Sequence, residues 1–243
     1  LPAIGGSASS GDVEEFRETL ARSLGLVFLL TVPSSVGLIL LGPAIVGAIY
    51  EGAKFQPYDT QQTALALSYY ALGLAGYAAT KVLVPAFYAL KDSRTPMYTS
   101  LASIAINAGM GYTLVRVAGM GHSGLALATS VVALFSFFVL FWLMKVRIGG
   151  VYGRRLRSVI LKVSCASAAM GAAVWASSHL LQRVAGVSTS GRLIDLAVTI
   201  PLGVAILYLL CRALRVEELE MAVNAIGGPI ARRFSALNAK LSD

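Results

Sequence analysis

The chain has 243 residues, 56% of them hydrophobic and 13% charged, with a mean hydropathy of +0.73. A soluble globular domain carries about 25% charge, so the composition excludes a large soluble core and points to a polytopic membrane protein. The net charge of +8 does not signal nucleic acid, because the basic residues lie in loops between apolar runs, where they set membrane topology.

The opening, LPAIGGSASS, has no initiator Met, basic segment or cleavage site, and reads as the interior of a longer protein. Residues 1–22 form a connecting segment in which Asp12 to Arg22 (DVEEFRETLAR) predicts a short cytoplasmic helix with acids in its first turn. Residues 23–211 then divide at their charges into six spans. These run Ser23–Tyr50, Thr60–Leu90, Pro96–Val115, Gly124–Met144, Val163–Gln182 and Leu193–Cys211. About 20 residues at 1.5 Å rise cross the hydrocarbon layer, and the shortest span is close to that. None shows the period-2 alternation of a membrane strand. Residues 212–243 form an amphipathic tail broken at Gly227-Gly228-Pro229, either an interfacial helix on the inner leaflet or a frayed end.

Six crossings put both ends on one side. Fifteen Lys and Arg residues then fall on that side, four on the other, and Lys81 within a span. The positive-inside rule makes the first side cytoplasmic. The short turn FYALKDSRTP between the second and third spans fits this placement. Lys91 and Arg94 hold it at the cytoplasmic surface, and Thr95-Pro96 reads as an N-cap followed by proline at the first helical position.

Cys165 and Cys211 have neither disulfide nor zinc-site spacing. The two histidines lie near different loops, and Asp195, near the start of the last span, is the sole acid not clearly outside the apolar runs. No nucleophile, acid–base pair or phosphate loop is apparent, so a non-enzymatic role and no cofactor are expected.

The polar residues inside the spans each have two readings. Lys81 either faces a central aqueous cavity and attracts an anionic headgroup, or snorkels to the inner interface. Asn107 either bonds to a neighbouring helix or belongs to an ion or substrate site. Thr129 either bonds back to its own helix or binds a ligand. Pro33, Pro43, Pro85 and Pro201 are hinges or static bends. Small residues such as Gly73, Gly76, Gly109 and Gly111 permit close helix approach.

The segments GDVEEFRETLARSLGLVFLLTVPSSVGLILL, EGAKFQPYDTQQTALALSYYALGL, KVLVPAFYALKDSRTP and GLALATS resemble the MurJ/MviN family of lipid II flippases. Family members have fourteen helices in two lobes around a cavity. The resemblance implies that this all-α chain is the last six helices, the C-terminal part, in the bacterial cytoplasmic (inner) membrane with both termini cytoplasmic. It further implies alternating-access export of the undecaprenyl-linked precursor lipid II, with membrane lipids and an N-terminal lobe of the same protein as partners. The family's cavity arginines lie outside these residues. Its sodium site corresponds here to Asn107, Leu125 and Thr129, with Gly111 where a relative has an acid. Coupling to sodium or to membrane potential follows from the same resemblance, as does an apolar groove for the polyprenyl tail on the last two spans. A polysaccharide-lipid flippase or multidrug exporter of the same superfamily, or a non-transporting scaffold paralogue, are the alternatives.

Overall fold

The computed structural model describes residues 10–52, 55–150, 153–185 and 189–223. Six α-helices follow in order: α1 Ser10–Tyr50, α2 Pro57–Ala89, α3 Arg94–Tyr112, α4 Gly121–Arg147, α5 Gly153–Ala185 and α6 Thr189–Ala213. A π-helical turn, Thr113–Val117, joins α3 to α4, and residues 217–223 are helical after α6. Among the described residues there is no strand. Five of the six helices are long and apolar enough to cross a membrane; α3 is not among them. Thr95, Thr99, Ser100, Ser103 and Asn107 dilute its apolar content, and its 19 residues reach about 28 Å at 1.5 Å each.

Cutting the sequence at charges sets several boundaries too far inward. The short helix expected over Asp12–Arg22 and the first span are one continuous helix, α1, because no breaker separates them. The fifth helix begins ten residues before Val163, at Gly153. Arg and Lys are good helix formers with long apolar stems, so they extend a helix beyond the hydrocarbon rather than end it. The four intramembrane prolines lie within α1, α2 and α6, and the helices run through them.

α2 packs between α1 and α4, α3 lies along α4, and α5 bridges α1 and α6. Glycine sets the closest of these approaches. A Cβ on Gly73 would sit 2.5 Å from the Cα of Ser130, and one on Gly76 would sit 3.1 Å from the carbonyl of Ala133. The Ser130 hydroxyl seals the crossing by donating to the Tyr69 carbonyl at 2.5 Å. Gly109, by contrast, faces open space.

The main core joins Leu24 and Phe28 of α1, Leu83 and Phe87 of α2, and Phe137, Leu140 and Met144 of α4. Phe28 meets Phe137 edge-on at 5.6 Å. The bundle therefore has a basic end, carrying the α2–α3 turn, the foot of α4 and the head of α5. The far end carries the α1–α2, α3–α4 and α5–α6 connections.

Candidate functional site

At the basic end, Asp92 organises the α2–α3 turn. Its carboxylate accepts from the backbone N–H groups of Arg94 and Thr95, both at 3.1 Å, and from the Thr95 hydroxyl at 2.8 Å. Arg147, from the last turn of α4, donates to it at 2.8 Å. Thr95 is thus not the cap that its sequence position suggests. α3 starts at Arg94, and the carboxylate two residues earlier reaches the exposed N–H groups of the first turn. The N–H and hydroxyl of Thr95 hold the Asp92 carboxyl below the ordinary carboxylate value; burial opposes them and Arg147 adds to them. Lys91 takes the positive φ of 56° that lets so short a turn reverse the chain.

Beside this turn, Arg17 of α1 donates to the Ile148 carbonyl just after α4. Arg155 of α5 pairs with Glu18 and with Glu217 beyond α6, so the post-α6 segment is tied to α1 and α5.

Lys81 lies on the exposed face of α2, its ammonium 4.9 Å from the centroid of the Tyr77 ring. Tyr70, Tyr77 and Tyr88 are exposed along the same face, at helical spacings of seven, four and seven residues counted through Lys81. This straight aromatic and cationic stripe was readable from periodicity, yet the tyrosines are easily passed over in so apolar a helix.

Asn107, Leu125 and Thr129 are brought to one seam between α3 and α4. The helices run antiparallel, Ser103 meeting Ser136 at 2.7 Å and Leu125 lying over Gly111. That register sets Asn107 level with the Thr129 turn. The Thr129 hydroxyl donates to the Leu125 carbonyl of its own helix at 3.0 Å. Asn107 does not form the interhelical bond that its burial suggests: its Oδ1 is buried without a hydrogen-bond partner. An unpaired acceptor suits a cation, but neither α3 nor α4 contains a carboxylate. These three residues offer neutral oxygens, and no carboxylate of α3 or α4 joins them.

An open apolar groove of about 350 Å³ runs between α1 and α5, past Val36, Leu40, Gly171 and Trp175. The sequence reading places the groove on α5 and α6; here the opposite wall is α1, because Gly171 lets Val36 approach closely. At the far end, Glu51 accepts from Arg192 at 2.5 Å and from Thr60 at 2.9 Å, joining α1, α2 and α6. Arg192 lies flat over Gly47, where any side chain would collide with it.

A family model described as Lipid II flippase MurJ matches residues 1–193. The chain belongs to the MurJ lipid II flippase family. Its curated MurJ relatives include the probable lipid II flippase of Bdellovibrio bacteriovorus, 30% identical over 220 residues that cover 90% of this chain and 41% of the relative. That of Thermotoga maritima is 32% identical over 214 residues, 88% of this chain and 41% of the relative. That of Rickettsia prowazekii is 35% identical over 141 residues, 58% and 27%. A solved structure described as "Lipid II flippase MurJ, inward closed conformation" superposes with a TM-score of 0.64 at 24% identity, over 84% of this chain and 41% of that one. It establishes a shared helical fold over that part. The chain spans less than half the length of these MurJ proteins. The matched stretch takes in Lys81, Asn107, Leu125, Thr129 and the Asp92 turn, and it stops two residues before Asp195.

Proposed function

We propose that this chain is the C-terminal part of a flippase that moves lipid II from the inner to the outer leaflet of the cytoplasmic membrane by alternating access. The observation that carries the reading is the family match over residues 1–193, which runs through α1 to α5 and into the start of α6. The basic end faces the cytoplasm in this reading, since the Lys and Arg residues concentrate there. Transport rather than catalysis is the activity: the chain supplies moving walls, not reacting groups.

Lys81 and its tyrosine stripe face the cavity shared with an N-terminal lobe of the full-length protein. There the ammonium attracts the pyrophosphate of the headgroup, and the tyrosines offer flat surfaces and hydroxyls to its sugars. The polyprenyl tail lies in the apolar groove beside α5, in contact with membrane lipid. An inside-negative potential favours outward movement of an anionic headgroup by about 2.3 kcal/mol per charge per 100 mV. Membrane potential is therefore the coupling that this charge pattern supports, and no transport step is assigned to sodium at the α3–α4 seam.

The test is depletion of the full-length protein in its own cell. Lipid II should accumulate in the inner leaflet and recover on re-expression. Accumulation of a different lipid-linked glycan instead, with lipid II export unchanged, would replace this substrate by that one. No change in either would leave a scaffold.

A further inference from the structure

The groove between α1 and α5 does not end in the apolar layer. Leu40 and Trp175, which line it, also line a second cavity of about 240 Å³ that reaches His179. From Ala168, at the apolar end, to Arg183, one turn beyond His179, α5 rises about 22 Å. The Ala168 end is walled by Val36 and Ile39 and offers no polar side chain. The polar end lies at the far end of the bundle, beside the α5–α6 connection.

Trp175, His179 and Arg183 recur every four residues and share one face of α5. The Trp175 and His179 rings stack with centroids 5.6 Å apart and planes within 5°. Arg183 meets His179 Nε2 at 3.1 Å. A guanidinium only donates, so Nε2 accepts and the ring carries its proton on Nδ1. All three side chains are exposed, and among the described residues Arg183 makes no ion pair. The acids nearby do not claim it. Asp195, 1% exposed, accepts from the Ser178 hydroxyl at 2.6 Å, the Gln182 amide at 3.3 Å and the Thr199 hydroxyl at 2.8 Å. That closed network fixes the last turns of α5 against α6. Glu51 is held by Arg192.

An apolar channel with a cation and an aromatic pair at one end complements an apolar chain that carries an anion at that end. Arginine's planar fork suits phosphate oxygens in particular. Lys81 lies about 12 Å before the basic end of α2, whereas Arg183 is two residues from the far end of α5. The two cations therefore stand at opposite depths of the bilayer.

We infer that Trp175, His179 and Arg183 form a second phosphate station, which takes the pyrophosphate of the polyprenyl lipid at the outer surface while its chain lies in the α1–α5 groove. The inference rests on the flippase reading for its orientation, and adds to it where the substrate rests before release. Arg183 binds the phosphate oxygens through the donors that His179 leaves free, and Trp175 covers the first part of the chain.

Photolabelling tests it, with the purified full-length protein in phosphatidylcholine nanodiscs and a diazirine-bearing farnesyl pyrophosphate as the probe. Mass spectrometry should find the label on the α5 peptide that carries Trp175. Unlabelled farnesyl pyrophosphate should compete, and farnesol or inorganic pyrophosphate, each filling one end only, should compete at least about tenfold less well. Arg183→Gln should cut the labelling at least about tenfold, the size of one lost charge-assisted contact, and Arg183→Lys should retain most of it. Ala172→Trp, which fills the exposed groove, should cut it as well. The unfolding midpoints of both Arg183 variants should match the wild type, since that side chain is exposed and in no ion pair, so lost label is not lost fold. Absence of label from α5 overturns the inference, as does labelling indifferent to Arg183→Gln. Competition by phosphatidylglycerol as strong as by farnesyl pyrophosphate also overturns it, making the groove a seat for bilayer lipid. Labelling as expected, with lipid II export unchanged on depletion, would keep the station and remove lipid II as its substrate. Export that needs the protein, without Arg183-dependent label, would keep the flippase reading and remove the station.

Discussion

Asp92 at the head of α3 and Arg147 at the foot of α4 are joined at 2.8 Å across 55 residues of chain. The same carboxylate caps α3, so one side chain fixes both where α3 starts and how the α2–α3 turn meets α4. The charged turn in so apolar a chain is therefore a structural clasp as well as a topology signal. The two roles agree, because a cation needed at the membrane surface is placed where an acid can receive it.

Asp92→Ala should destabilise the bundle by about 1–2 kcal/mol, the range for losing an N-cap acceptor. Asp92→Asn retains an acceptor and should cost less. Arg147→Ala should cost under about 1 kcal/mol, since that side chain is 51% exposed and surface pairs contribute little. Thermal unfolding of the three variants in detergent gives the order directly.

Acid should unmask the same carboxylate. Asp92 and Glu51 both titrate below their ordinary values of 3.8 and 4.5, Asp92 chiefly through Thr95 and Glu51 chiefly through Arg192 and then Thr60. A depressed folded-state value means that the stabilisation is present above the ordinary value and lost as pH falls through the depressed one. Neither group should make the unfolding midpoint vary between pH 7 and about 5. Below about pH 4 the midpoint should fall, and less steeply in Asp92→Asn. An equal acid slope in wild type and variant would assign the acid sensitivity to other groups.

How much of this was legible beforehand depends on sequence distance. The order of six helices, the helical class and the charge bias follow from local composition, and Gly73 and Gly76 announce a close crossing because nothing else in α2 is so small. Thr199 can be paired with Asp195 from the one-turn spacing alone. Ser178 cannot, because its place depends on the register of α5 against α6. Nor can Glu51 be paired with Arg192, 141 residues away, where Gly47 clears the space for the guanidinium. The capping role of Asp92 is hidden for a related reason: Thr95-Pro96 is a good local start signal, but a carboxylate in reach of the same N–H groups competes better for them.

The α2–α4 crossing gives a sharp steric contrast. Gly73→Ala places a methyl 2.5 Å from the Ser130 Cα, which is backbone and cannot swing aside. The helices must separate, at about 1–3 kcal/mol for overpacking. Gly109→Ala meets nothing within 4 Å and should be neutral or slightly stabilising, since alanine is the better helix former. Unfolding midpoints of the two variants side by side decide the matter; equal effects would place Gly73 in a looser crossing than the one described.

Lys81 offers the most direct link from structure to transport. Its ammonium sits over the Tyr77 ring, on an exposed stripe of α2. The cation–π contact is worth about 0.5–1 kcal/mol at an exposed site, too little to justify a lysine in the membrane for stability alone. Lys81→Ala should therefore leave the unfolding midpoint nearly unchanged while lowering lipid II export by the full-length protein several-fold at equal expression. Lys81→Arg, which keeps the charge over the ring, should restore most of the activity. Tyr77→Leu should give an intermediate loss, because the charge remains but its rest for the headgroup is gone. If Lys81→Ala exports at the wild-type rate, the stripe faces lipid rather than the cavity, and the lysine snorkels to the inner surface.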